Sequence, residues 1–69
     1  MKFRDIYRVI KFSNIMIYYN DDYFFFPHGS NKSLLRFFNL NVVGVSNDIW
    51  FNYSYSLESY HCIRIDLED

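Results

Sequence analysis

Ile49-Trp50-Phe51-Asn52-Tyr53-Ser54-Tyr55-Ser56-Leu57 decides the reading of this chain. From Phe51 on, large and polar residues alternate without a break. Ile49, Phe51, Tyr53, Tyr55 and Leu57 fall on one side, and Trp50, Asn52, Ser54, Ser56 and then Glu58 on the other. A period of two belongs to a β-strand with one face buried and one wet; a helix would scatter the same residues around its circumference. The stretch predicts a strand against which the rest packs, with the Phe51 side inward.

Working outward, the C-terminal side repeats the pattern. After a turn over Leu57–Ser59, residues His61, Ile63, Ile65 and Leu67 line one face of a last strand, and Cys62, Arg64 and Asp66 the other. On the N-terminal side, Asn47-Asp48 reads as a tight turn, preceded by a strand from Leu40 to Val45 with Gly44 marking a bulge or close backbone approach. Lys32 to Asn39 reads as a short helix, capped by Ser30 or Asn31, with Leu34, Leu35, Phe37 and Phe38 as its apolar face. Pro27-His28-Gly29 is the strongest break in the chain. Before it, Ile15–Tyr19 and Tyr23–Phe26 flank Asn20-Asp21-Asp22, a hairpin signature, since Asn and Asp tolerate left-handed backbone. Three consecutive Phe cannot all point inward on one strand, so something must cover the ring that does not. Residues 3–12 fit two patterns. Phe3, Ile6, Tyr7 and Ile10 have helical spacing, but no capping residue precedes them and β-formers abound, which favours a strand over 6–12.

The sum is a small α+β domain covering residues 1–69, with a mostly antiparallel sheet of five or six strands and one short helix packed on one face. A chain of 69 residues lies near the lower limit for an unassisted core. Its single Cys allows no internal disulfide; eight Phe, seven Tyr and one Trp supply the apolar mass instead. Ala, Thr and Gln are absent, while Asn, Ile, Tyr, Phe and Ser dominate, the bias of an AT-rich genome such as that of many phages and viruses. No apolar run is long enough to span a bilayer, and charges interrupt any export signal. With a free Cys this points to the cytoplasm.

Net charge is −1, which disfavours a general nucleic-acid binder. The charge is nevertheless polarised. Lys2, Arg4, Arg8 and Lys11 crowd the start, whereas Asp48, Glu58, Asp66, Glu68 and Asp69 crowd the end. Neighbouring strands of opposite charge would compensate each other; alternatively the acidic end faces a basic partner.

No motif names a reaction. His61 and Cys62 are adjacent, hence on opposite faces of a strand, and serve poorly as base and nucleophile. Asp21, Asp22 and Asp48 match no calcium-loop spacing, and the two Gly make no phosphate loop. The reading is a non-catalytic protein with no cofactor and no metal. Tyr, Trp and Arg dominate interface energetics, so the function expected is protein binding: a phage or viral accessory protein that inhibits a host enzyme or defence complex, anti-CRISPR-like, by occupying its surface. Its contacts would be Asp48, Trp50, Asn52, Glu58, Asp66, Glu68 and Asp69. The alternative is a nucleic-acid module using Lys2, Arg4, Arg8, Lys11, Tyr18 and Tyr23. A second alternative is a self-assembling subunit that forms a homo-oligomer through an open strand edge.

Overall fold

A computed structural model describes residues 1–29, 32–52 and 58–69, with the backbone alone at Asn52 and Glu58. In chain order it holds helix α1 (Phe3–Ile10), strand β1 (Ile15–Tyr19), strand β2 (Asp22–Phe26), two 3₁₀ turns (Pro27–Gly29 and Lys32–Phe37), strand β3 (Asn41–Asn52) and strand β4 (Glu58–Glu68). The strands form one sheet in the order β2-β1-β4-β3. The fold is a small α+β unit.

The hairpin of β1 and β2 forms where the sequence places it. Asn20 and Asp21 both take positive φ, 54° and 64°, as a two-residue turn of the type that matches strand twist requires. β3 and β4 make a second, longer antiparallel hairpin, with an irregularity between Val42 and Gly44 where the sequence suggested a bulge. The two hairpins join through a parallel ladder, Ile15 beside Ile63 and Ile17 beside Ile65.

Alternation gives the sheet two unlike faces. On the covered face Ile15, Ile17, Phe26, Ile65 and Leu67 are buried beneath Phe3 and Ile10 of α1 and Leu34 and Phe37 of the second 3₁₀ turn. The latter pair sits three residues apart, the period of a 3₁₀ rather than an α turn. This turn ends at Phe37, so the expected helix Lys32–Asn39 is tighter and shorter than its pattern implied, and Leu35 is exposed. The proposed caps Ser30 and Asn31 lie outside the described residues.

Three expectations are corrected. Residues 3–10 are helical, not a strand over 6–12. No side chain caps α1 from Lys2, but its N-terminal donors find partners elsewhere. Phe3 N–H donates to Leu40 C=O (3.0 Å), Arg4 N–H to Phe38 C=O (3.2 Å) and Asp5 N–H to Lys2 C=O (3.0 Å), while the Asp5 carboxylate accepts from Lys2 N–H (3.0 Å). Tertiary carbonyls replace the missing cap. Second, Asn47-Asp48 makes no turn: β3 runs straight through it to Asn52. Among the described residues the sheet therefore has four strands, not five or six, because one predicted strand is a helix and two others are one. Third, the burial expected for residues 49–51 is reversed. Ile49 and Phe51 are exposed, and Trp50 is half-buried on the opposite face. The covering layer ends before it reaches this part of the hairpin, so alternation there no longer reports a core. Tyr53, Ser54, Tyr55, Ser56 and Leu57, the remainder of that stretch, lie outside the described residues; Glu58 and Ser59, expected in a turn, begin β4.

Candidate functional site

The second face of the sheet carries no layer of secondary structure among the described residues. Its side chains are Tyr23 and Phe25 from β2, Met16 and Tyr18 from β1, Tyr60, Cys62, Arg64 and Asp66 from β4, and Ser46, Asp48 and Trp50 from β3, placed together by the register of the three ladders. Met16 and Cys62 are buried here even so. A mat of rings one side chain thick shields them.

At one end Phe25 and Trp50 stack with centroids 5.1 Å apart and planes 2° from parallel, and Tyr60 tilts against Phe25 at 6.0 Å. This answers the three-Phe puzzle: Phe24 and Phe26 face the core, and Phe25 is covered by Trp50. At the other end Tyr18 and Tyr23 lie 4.7 Å apart, and the Arg64 guanidinium sits over both, 5.1 and 5.3 Å from their centroids. Arg64 also donates from Nε to Asp66 (2.8 Å) and pairs with Asp48 (3.5 Å). It is thus held between two carboxylates and two π-faces, and the bond to Asp66 fixes it more firmly as a cation.

The sequence-derived candidates separate in space. Asp48, Trp50 and Asp66 share the open face, and both aspartates pair with Arg64, whose single charge offsets one of the two. Glu68 is exposed at the end of β4, and Asp69 just beyond it accepts from the Tyr19 hydroxyl at 2.6 Å. The side chains of Asn52 and Glu58 lie outside the described residues. Among the described residues, no ion pair joins the basic start to the acidic end. For the nucleic-acid set, Tyr18 and Tyr23 are on the open face, while Arg4, Arg8 and Lys11 are exposed on and just after α1, on the far side of the sheet. Rings and cations therefore do not form one groove. Phe25, Tyr60 and Arg64 are members of the open face that the candidate list omitted. The signal for two of them was present, since Tyr60 and Arg64 share parity with Cys62 and Asp66.

A cleft of about 170 Å³ is lined by Ser13, Asn14, Asn47, His61, Cys62 and Ile63, with no carboxylate or guanidinium in its wall. Burial, helped by the nearby Asp48 charge, pushes the Cys62 thiol up, which keeps it protonated and poorly nucleophilic at neutral pH. Among the described residues no group of three or more His, Cys, Asp or Glu is placed to hold a metal ion, and no helix is long and apolar enough to cross a membrane. Comparison of the chain with protein families, with curated proteins and with solved structures finds no significant match.

Proposed function

We propose that this protein is a non-catalytic binding module that presents its open sheet face to another protein. The observation that carries the reading is the face itself: Trp50, Tyr60, Phe25, Tyr18, Tyr23 and Arg64 in one layer, with Asp48 and Asp66 between them. Trp, Tyr and Arg are the side chains that most often dominate interface energy, and they do so when clustered and surrounded by groups that exclude water. Here they are pre-stacked, so little rotamer entropy is lost on docking. A half-exposed aromatic patch with internal ion pairs fits a protein surface better than a phosphate backbone. Arg64, the cation over these rings, is already paired with two carboxylates, and single-strand binders need a basic groove beside their stacking platform. Asp48 and Asp66 serve to orient Arg64 within this face. The narrower version, a phage or viral accessory protein in the cytoplasm that blocks a host enzyme or defence complex in the anti-CRISPR manner, rests on composition and small size.

Capture from a low-GC bacterial lysate, with and without nuclease, tests the proposal when run beside Trp50→Ser. A stoichiometric protein partner that survives nuclease and is held more than tenfold less tightly by the variant supports it. Partners that vanish with nuclease, or that bind the folded variant equally well, remove it.

A further inference from the structure

We propose that two copies of this chain pair antiparallel through the β3 edge, with Asn47 opposite its own counterpart and Asp48 acting as the gate. This inference does not depend on the binding face above. It starts from which backbone groups of β3 are unused. Ile63 N–H donates to the Asn14 carbonyl at 2.8 Å, and the His61 carbonyl accepts from the Asn14 side-chain amide at 3.0 Å. The odd-numbered residues of β4 therefore aim their backbone groups toward β1. Backbone groups alternate sides along a strand, so Tyr60, Cys62, Arg64 and Asp66 serve β3, bonding Trp50, Asp48, Ser46 and Gly44 opposite them. The intervening residues Val45, Asn47 and Ile49 must aim N–H and C=O out of the sheet. An independent contact agrees: Ile49 N–H donates to Oδ1 of Asp48 at 2.7 Å, whereas a donor inside the ladder would be engaged by β4.

Unpaired edges invite another strand, and proteins commonly blunt them by shortness, Pro, Lys or a covering segment. The β2 edge is blunted: it has five residues, begins with Asp22 and runs into Pro27. The start of β3 is covered too, by Met1 C=O accepting from Val42 N–H (2.8 Å) and by Lys2 bridging to Asn41. The rest of this twelve-residue strand has no Pro and no Lys, and Asp48 is its one charge.

The edge is complementary to itself. Antiparallel pairing about a dyad at Asn47 sets Val45 opposite Ile49 of the second copy, twice. These residues are 51 % and 41 % exposed, on the same face. The Asn47 amides meet across the dyad. On the open face Ser46 comes opposite Asp48 of the second copy and Gly44 opposite Trp50, giving the ring room. The register one step along, centred on Asp48, sets that charge against itself, which is unfavourable. To pair, Asp48 must release Ile49 N–H. The facing Ser46 hydroxyl gives its carboxylate a new donor, and Arg64 stays in place. The dyad lies perpendicular to the sheet, so two four-stranded sheets become one of eight with their open faces on the same side.

Sedimentation equilibrium over a wide concentration range tests this on the intact chain. Val45→Lys and Asn47→Pro obstruct the edge without removing a ladder bond, because neither N–H is used by β4. The expected result is a concentration-dependent dimer weakened at least tenfold by each variant and strengthened about tenfold by Asp48→Val, with circular dichroism confirming the fold. Asn47→Cys should form a disulfide-linked dimer on mild oxidation, since hydrogen-bonded antiparallel pairs place Cα atoms ~5.5 Å apart, within bonding range. A chain that stays monomeric and resists this cross-link, or a dimer indifferent to both blocking variants, overturns the proposal.

Discussion

Replacing Arg64 by Met keeps the aliphatic bulk between Tyr18 and Tyr23 and removes everything else. Two cation–π contacts vanish, and Asp48 and Asp66 are left with no counter-ion between them. The expected cost is about 1–3 kcal/mol, as exposed ion pairs contribute about 0.2–1 and exposed cation–π contacts about 0.5–1 kcal/mol each, and the four share one guanidinium. It would be read as a lower urea midpoint at unchanged slope. Titration gives a second prediction. The Tyr18 and Tyr19 hydroxyls are pushed up because they donate to Asp21 and Asp69, and the Cys62 thiol is pushed up by burial. All three hold their protons more tightly folded than unfolded. Their contribution is therefore complete below the ordinary values and lost as pH rises past ~8.5 for the thiol and ~10 for the phenols. Urea midpoints should fall between pH 8 and 11, and Tyr19→Phe should shallow the decline. Slow alkylation of Cys62 in the native protein at pH 8 would accompany this.

Elements show why some of the fold was legible and some was not. The Asn20-Asp21-Asp22 hairpin, the Gly44 irregularity and the alternation of 61–67 were readable because each depends on local chemistry: backbone preference, or a period of two. Helix α1 was not, because the carbonyls of Phe38 and Leu40 that satisfy its first donors are remote in sequence. The burial of residues 49–51 was not, because it is set by where the covering layer stops. Of the open face, Trp50 and Asp66 could be placed by parity, whereas Asp48 was read as part of a turn. The role of Phe25 needed the strand order, which sets β2 and β3 at opposite edges of the sheet with Phe25 and Trp50 meeting across it. The first 3₁₀ turn owes its position to Gly29, with φ of +58° and a buried Cα. A Cβ there would stand 2.5 Å from the Lys11 carbonyl oxygen and 2.8 Å from Cδ1 of Ile15. Gly29→Ala should thus cost about 2–3 kcal/mol, combining left-handed strain with a backbone clash. It would also disturb the bond that Tyr7 donates to the Gly29 carbonyl at 2.7 Å. Thermal melts of this variant beside Tyr7→Phe separate the two contributions.

For the molecule as a whole, Phe37 is the central plug. Its ring meets Tyr19, Phe24 and Phe26 within 6.2 Å and lies under the Arg36 guanidinium. Truncation to Ala should cost about 3–5 kcal/mol. At ~0.05–0.15 kcal/mol per residue, a chain of this length has few kcal/mol to lose, so Phe37→Ala should be largely unfolded at 37 °C, seen as collapsed amide dispersion in a ¹H–¹⁵N spectrum. The strand order carries one more consequence, for the time course of folding. Each hairpin closes over a short stretch of chain, but the parallel seam between β1 and β4 joins residues such as Ile15 and Ile63, 48 positions apart. Loop closure makes that seam the slow step. Until it forms, β1 has a neighbour on one side only, and Ile15 and Ile17 have no Ile65 to pack beside. The halves would assemble independently and dock late, so mutations at the Asn20-Asp21 turn, already formed in the transition state, would mainly slow refolding, while those in the seam would divide their effect between refolding and unfolding.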